Sequence, residues 1–138
     1  MLQVYADNLG IKILENEPLK FTNLAVQKGN TSTKTDVSTV SLNKAGIYMI
    51  SFDAVIASSD TLTTSAQLFV DGVPQMQGKT ASLSTDGGDK QAMGFTTLVS
   101  VPHDNSCRCS DKGVTLQVIN TGSSTDYDHV NLVVTKIC

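Results

Sequence analysis

The sequence predicts an all-β protein, a sandwich or barrel of short antiparallel strands. Three observations lead to this fold class. Val, Thr, Ile and Ser are abundant, whereas few segments carry the Ala, Glu, Lys and Leu mixture that sustains a helix. Apolar and polar residues alternate with a period of two in several segments. Clusters rich in Gly, Asn, Asp and Ser separate these segments, and such residues form tight turns.

The first 58 residues supply four predicted strands. LQVYA comes first, and LKFTNLAVQKG and DVSTVSLNKAG follow before residue 46. GIYMISFDAVIAS shows the clearest alternation, since Tyr48, Ile50 and Phe52 share one face. Ser51 and Asp53 point the other way, so this segment is predicted to be a half-buried strand.

Four more strands are predicted in the rest of the chain: SAQLFVDG, GFTTLVSVP, GVTLQVIN and HVNLVVTKIC. GFTTLVSVP ends at Pro102, which cannot donate to a ladder. The turn clusters between strands are KGNTSTKTD, ASSDTLTT, DGVP, STDGGDK, HDNSCRCSDKG and TGSSTDYD. No repeat of fixed period interrupts this order, so a single domain over residues 1–138 is expected.

Composition limits the classes of function. The chain has 138 residues, of which 40% are hydrophobic and 17% charged, as in an ordinary globular domain. Its net charge is −3 and its lysines are scattered, so no footprint for a nucleic-acid backbone is present. Neither a signal peptide nor an apolar segment long enough to span a bilayer is recognised. We therefore expect a protein made in a cytosol, with no nucleic-acid or membrane partner.

A second apolar surface does not fit a monomeric sandwich. Several apolar side chains fall on strand faces that the alternation assigns to solvent, and together they predict an apolar outer surface on one sheet. If they cluster, they mark a contact with another chain. These residues, predicted to form a subunit interface, are Ile47, Met49, Phe69, Ile119 and Val133.

The order of segments resembles the tumour necrosis factor-like and complement globular-head-like domains. SLNKAGIYMISFDAVI is similar to a core strand that opens with Gly-x-Tyr in that family, and AQLFVDGVPQ to the next strand with its short DG turn. GVTLQVINTGSS and HVNLVVTKIC resemble the last two strands. The likeness runs from about Leu19 to the end and departs at SCRCSDKG. The compact form, without a collagen-like stem, resembles small accessory proteins of tailed phages and prophages of Gram-positive gut bacteria.

This resemblance implies a ten-stranded antiparallel jelly roll, a homotrimer, and a role in display instead of catalysis. The expected function is that of a non-enzymatic virion structural protein: a capsid decoration, a head fibre or a tail-associated domain. Its expected partners are further copies of itself, a capsid or tail protein, and a host surface glycan. The alternative is a bacterial surface or secreted trimeric adhesion or receptor-ligand domain.

The direction of the strands predicts two ends of the molecule. If the strands from Gly46 onward run antiparallel in succession, the loop 103–113 and Cys138 lie at the same end, which we call the base. The resemblance implies that the first strand pairs with the last, which brings Met1 to the base as well. The loops 57–64, 83–90 and 121–128 then meet at the opposite end, the apex. The predicted apical ligand-binding residues are Ser58, Ser59, Asp60, Thr61, Asp86, Asp89, Ser123, Ser124, Thr125, Asp126 and Tyr127.

Short hydroxyls, carboxylates and one aromatic ring can hydrogen-bond to and stack on a sugar, as antibody loops do with Tyr and Ser. A host glycan is therefore the expected apical ligand. The same residue types also occur in any exposed turn, so it stays open whether these loops are only solvent-exposed turns that bind no ligand.

The cysteines at the base have two open interpretations. Cys138 could form a disulfide with Cys107 or Cys109, within or between subunits, or all three could stay reduced. The spacing Cys-x-Cys with only His103 nearby matches zinc sites poorly. The carboxylates of STDGGDK and SSTDYD lack the spacing of a calcium loop. The two histidines, His103 and His129, lie in no recognisable nucleophile arrangement, so no enzyme, metal or cofactor is expected.

Overall fold

The computed structural model describes residues 1–7, 12–57, 62–84, 90–102 and 113–138. Within these ranges the chain forms eleven β-strands and no helix. The strands are β1 (Leu2–Asp7), β2 (Lys12–Ile13), β3 (Asn23–Gln27), β4 (Ser32–Lys34), β5 (Val40–Leu42), β6 (Gly46–Ala57), β7 (Leu62–Val70), β8 (Val73–Ser84), β9 (Lys90–Val101), β10 (Val114–Asn120) and β11 (Thr125–Lys136). In this part of the chain no helix is therefore long and apolar enough to cross a membrane.

The strands form two antiparallel sheets. The order in the first sheet is β3-β1-β11-β6-β9, with the two-residue β2 added beside the start of β11. The order in the second sheet is β4-β5-β10-β7-β8. The first strand pairs with the last, as the resemblance implies. We call the two sheets the six-stranded and the five-stranded sheet.

This arrangement confirms the predicted all-β antiparallel jelly roll. The described residues contain eleven strands where ten were expected, because β2 pairs with Thr125 and Asp126 at the start of β11. Two strand segments also lie where the sequence predicted turns. Ser32–Lys34 forms β4 inside KGNTSTKTD, and Thr125–Asp128 already belongs to β11.

The core lies between the two sheets. Tyr48, Ile50 and Phe52 of β6 are buried, and every second residue along this strand is exposed or half-buried, as the alternation predicts. Leu68 of β7 and Leu116 of β10 are buried in the facing sheet. Burial of each large apolar side chain stabilises the fold by about 1.5–3 kcal/mol, so this shared interior is the main favourable contribution to folding.

The start of β6 explains the Gly-x-Tyr element. Gly46 has φ 145°, and a β-carbon at this position would collide with the carbonyl oxygen of Cys138. The Tyr48 hydroxyl, in turn, donates to the carbonyl oxygens of Lys44 at 2.8 Å and Thr31 at 3.2 Å. Glycine thus lets the carboxyl terminus lie against β6, and the tyrosine fastens the preceding loop to the core.

Strand β8 was not predicted from the sequence. It runs for 12 residues at the edge of the five-stranded sheet and begins with Val73 and Pro74, which the DGVP cluster had assigned to a turn. Proline is tolerated at a sheet edge because its missing N–H points away from the ladder. The register with β7 also shifts between Gln67 and Phe69, so residues 75–78 bulge out of the strand. Because of this proline and this bulge, the sequence of β8 does not show the alternation of apolar and polar residues.

The strand directions place the two ends as expected. At the base, Gly46 pairs with Val101, and the Ile47 N–H donates to the Cys138 carbonyl at 3.2 Å. The Met1 ammonium donates to the Lys28 carbonyl at 3.2 Å at the same end. At the apex, Ala57 pairs with Lys90. The connections at residues 58–61 and 85–89 fall outside the described residues.

Candidate functional site

An apolar patch covers the base end of the outer face of the six-stranded sheet. Met49 lies in register between Thr135 of β11 and Leu98 of β9, and Leu98 is 60% exposed. Ile47 and Ile137 are exposed next to it, at 36% and 49%. We call Ile47, Met49, Leu98 and Ile137 the outer patch. Four of the ten large apolar side chains that are exposed among the described residues lie in it, so they are not scattered singly.

Of the five residues predicted to form the interface, three lie together. Ile47, Met49 and the half-buried Val133 share the outer face of the six-stranded sheet. Phe69 of β7 and Ile119 of β10 instead face outward on the five-stranded sheet, where they oppose Gln117 and Gln67. The expectation of one sheet with five apolar outer residues is therefore wrong. Alternation gives the face of each strand, but it does not give the sheet to which the strand belongs.

Sequence reasoning missed two members of the outer patch. Leu98 alternates with Thr97 and Val99 along β9, and because Val99 is buried, Leu98 faces outward. Ile137 follows the last strand, where no pairing pattern assigns a face. Leu98 could have been found from the alternation of β9, whereas Ile137 could be found only from the structure.

Hydrogen-bonded polar side chains follow the outer patch toward the apex. Gln3 Nε2 donates to Asn131 Oδ1 at 2.9 Å, and Asn131 Nδ2 donates to Asp53 Oδ2 at 3.3 Å. The hydroxyls of Ser51 and Thr96 lie 3.3 Å apart on the neighbouring strands. This polar row crosses β1, β11, β6 and β9 and links the strands on the face that carries the patch.

Ionisable side chains occupy the apical end of the same face. His129 Nδ1 contacts Asp7 Oδ1 across the β1–β11 pair. Lys90 Nζ and Asp128 Oδ2 are 3.0 Å apart. In the described ranges His129 has no hydrogen-bond partner besides Asp7, and no group of three potential metal ligands is found. The Asp7–His129 pair therefore lacks a nucleophile among these residues.

The structure corrects the predicted roles of two apical residues. Tyr127 is buried, and its hydroxyl donates to Asn120 Oδ1 at 3.0 Å. Thr125 is also buried, and its hydroxyl lies 2.8 Å from that of Thr64. Neither side chain can meet a ligand, because the period-two pattern of β11 turns both toward the core. Tyr127 therefore does not provide a stacking surface for a sugar.

Asn120 holds the apical segments together. Its side-chain nitrogen donates to the carbonyls of Ile13 at 3.0 Å, Leu14 at 3.2 Å and Ser123 at 3.0 Å. Its oxygen accepts from Tyr127, so every polar atom of this buried amide has a partner. Such fully paired buried groups fix one conformation. The sequence contains no signal for this role, since two of the partners of Asn120, the carbonyls of Ile13 and Leu14, are distant along the chain.

The remaining described apical residues stay accessible. Ser123 and Asp126 are exposed and Ser124 is half-buried. The other predicted ligand-binding residues lie outside the described residues: Ser58, Ser59, Asp60, Thr61, Asp86 and Asp89.

At the base, Cys138 is an exposed free thiol. Cys107 and Cys109 lie outside the described residues, so the disulfide stays a prediction. Val101 precedes residues 102–113 and Val114 follows them. Both lie at the base, because Val101 pairs with Gly46 and Val114 pairs with Leu42.

Comparison with solved structures identifies the fold. No family model and no curated protein matches the sequence. The chain is similar to Eiger TNF from S. frugiperda, with a TM-score of 0.72 at 14% identity over 100% of this chain and 92% of that one. It is also similar to murine APRIL at pH 8.5, with a TM-score of 0.65 at 7% identity over 99% and 97% of the two chains. The protein therefore has the TNF-like jelly-roll fold.

Proposed function

We propose that the protein is a non-enzymatic, self-associating display module. It buries the outer patch against further copies of itself and presents its apex to a partner. The observation that carries this proposal is the outer patch, in which Leu98, Met49, Ile47 and Ile137 are exposed side by side on a sheet whose other face forms the core. These side chains are 36–60% exposed, so burial of the part that is still in water contributes a fraction of the about 1.5–3 kcal/mol for a fully exposed side chain, which favours a contact between copies.

The proposed assembly is a homotrimer. The TNF-like fold and the sequence resemblance support three copies, and an obligate contact is expected to bury more than about 2,000 Å². Val133 and Met49 contribute from β11 and β6 to the surface that meets the next copy. Phe69 and Ile119 face away from it on the five-stranded sheet.

The base and the apex are proposed to bind different partners. Both chain termini lie at the base, which is proposed to attach to a larger structure. The apex carries the exposed Ser123 and Asp126 and is proposed to bind a cell-surface glycan or a receptor. A capsid or tail protein of a tailed phage as the partner at the base, and with it a virion location, stays a prediction of the sequence resemblance. The adhesion or receptor-ligand role is the alternative.

Solution mass tests the proposal directly. The wild-type protein should show about three times the chain mass of 14.7 kDa by light scattering after gel filtration. Leu98→Asp should reduce the mass to that of one chain, because a carboxylate cannot be buried in the apolar contact without large cost. Leu98 is exposed, so the fold of each chain tolerates this change.

The matched control is Val37→Asp. Val37 is 40% exposed, and it lies between β4 and β5 of the five-stranded sheet. This variant should keep the wild-type mass. A monomeric wild-type protein, or a Leu98→Asp variant with unchanged mass, would show that the outer patch is not a subunit contact.

A further inference from the structure

A second exposed apolar surface lies on β8, at the free edge of the five-stranded sheet. Met76 is 77% exposed and Val73 is 59% exposed, and Pro74 beside Val73 is exposed as well. Met76 is the most exposed large apolar side chain in the described ranges. We call Val73, Pro74 and Met76 the edge patch. Apolar side chains grouped in this way on an exposed edge mark a candidate contact with another protein.

Two glutamine side chains hold the edge patch in a fixed shape. Gln67 of β7 is buried, and its Nε2 donates to the Gln75 carbonyl at 3.1 Å in the bulge. Gln75 Nε2 donates in turn to the Val73 carbonyl at 3.0 Å. The bulge also interrupts the row of backbone N–H and C=O groups that an added strand would need. This edge is therefore suited to contact through its apolar side chains and not to extension of the sheet.

The edge patch adjoins the outer patch. β8 and β9 are edge strands of the two sheets and lie side by side, with β8 running from base to apex and β9 from apex to base. Gly78 marks their relative height, because a β-carbon on it would lie 3.5 Å from the Phe95 ring. Met76 precedes Gly78 and Leu98 follows Phe95, so both lie between that point and the base. The two patches therefore occupy neighbouring sides of the sandwich near the same end.

The proposed homotrimer needs two different contact surfaces on each copy. In a closed ring of three identical chains every contact is heterologous, so one surface of a copy meets another surface of the next copy. The outer patch supplies one of these surfaces. Apart from the edge patch, the other exposed large apolar side chains of the described ranges come from four separate segments: Met1, Leu14, Leu24 and Val37. The edge patch is therefore the apolar surface that can complete the contact.

We infer that the edge patch of each copy packs against the outer patch of the next copy. The inference rests on the self-association proposed above and adds the second half of the contact. Methionine suits the exposed position 76, because its flexible and polarisable side chain adapts to an apolar partner surface. Neither patch contains a charged side chain, so their mutual burial leaves no charge unpaired.

Two complementary variants test this arrangement. Met76→Asp disrupts the edge patch and leaves the outer patch intact, and Leu98→Asp does the reverse. Each variant alone should give single chains of 14.7 kDa, because a carboxylate is costly to bury in an apolar contact. In an equal mixture they should form a complex of one copy of each, since the edge patch of the Leu98→Asp copy can still pack on the outer patch of the Met76→Asp copy. Native mass spectrometry identifies this heterodimer by its mass.

A matched pair of valine variants makes the test independent of Met76. Val73→Asp should give single chains, whereas Val37→Asp, which replaces an exposed valine outside both patches, should keep the wild-type mass. Edge-patch variants that keep the wild-type mass would overturn the inference and leave self-association intact. The same holds if the mixed variants unfold cooperatively on heating but stay as single chains. Wild-type protein that is itself monomeric contradicts the proposed self-association instead.

Discussion

The hydroxyl of Tyr127 is buried near the apex and donates to Asn120, which in turn is bonded to three backbone carbonyls. Burial raises the pKa of Tyr127, because the phenolate would lose its hydration. Below about pH 10 both the folded and the unfolded chain keep this proton. Above that pH the unfolded chain loses it first, so the free energy of unfolding falls as the pH rises.

We expect Tyr127→Phe to affect stability differently at neutral and alkaline pH. At neutral pH the lost hydrogen bond and the unpaired Asn120 oxygen should cost about 1–3 kcal/mol. Above about pH 10 the free energy of unfolding of the variant should fall less steeply than that of the wild type. Urea unfolding at several pH values measures both effects. Parallel pH profiles for the two proteins would mean that Tyr127 does not titrate on unfolding.

At the scale of single residues, the sequence alone could predict which face of a strand a side chain occupies. It could seldom predict whether a polar side chain is buried. The alternation of β6 correctly predicts that Tyr48 and Phe52 face the core. Tyr127 sits in a segment full of Ser, Asp and Gly, which is typical of an exposed turn, yet it is buried because β11 begins earlier than the composition indicates. Burial of a polar residue depends on partners from distant segments, which no local pattern contains.

Among the secondary-structure elements, the β7–β8 hairpin is held by a specific turn. Asp71 and Gly72 both have positive φ, at 49° and 78°, as a two-residue hairpin turn requires. The Asp71 carboxylate also accepts from the Thr115 N–H at 2.8 Å and the Thr115 hydroxyl at 3.1 Å. The turn is thereby fastened to β10, the next strand of the sheet.

Asp71→Ala should lower the free energy of unfolding by about 1–2 kcal/mol, because it removes both contacts to Thr115 and disfavours positive φ. Asp71→Asn is the control, since Asn tolerates positive φ and keeps an acceptor oxygen. Its loss should be smaller. Chemical denaturation with an unchanged m-value would show that the substitution changes stability and not the surface exposed on unfolding. Equal losses in the two variants would contradict the role given to the turn residue.

Strands with two clear faces were predictable. Of the edge strands, β3 and β9 of the six-stranded sheet were predicted, whereas β4 and β8 of the five-stranded sheet were not. β6, β10 and β11 alternate because one side of each meets the core. β8 lies at the sheet edge, where Pro74 and the bulge at residues 75–78 break the pattern. β2 has only two residues, fewer than a period-two signal needs. The DG turn itself was correctly predicted, because its residues fix the backbone geometry.

At the scale of the whole molecule, thermal stability should depend on protein concentration. If copies bind only in the folded state, mass action raises Tm with concentration. Over a hundredfold range the rise should be on the order of 5 °C for the wild type. Leu98→Asp should show a Tm independent of concentration. A wild-type Tm that stays constant would mean that folding and self-association are not linked.

The candidate site was predictable only in part, because its composition depends on how the strands are ordered in the sheets. Ile47, Met49 and Val133 were correctly assigned to an outward face, but their separation from Phe69 and Ile119 depends on the order of strands in the two sheets. That order is a property of the complete fold. The resemblance in the order of segments implied only that the first strand pairs with the last, and hydrophobic alternation does not give the order of the strands.

The pairing of β1 with β11 has a practical consequence. Leu2 lies opposite Val134, so the two termini leave the sheet on neighbouring strands at one end. A short flexible linker could join them, and new termini could be opened at the Asp71–Gly72 turn without interrupting a strand. Such a circular permutant would move the point of attachment for a fused cargo from the terminal strands to the β7–β8 hairpin, while all strand pairs stay intact.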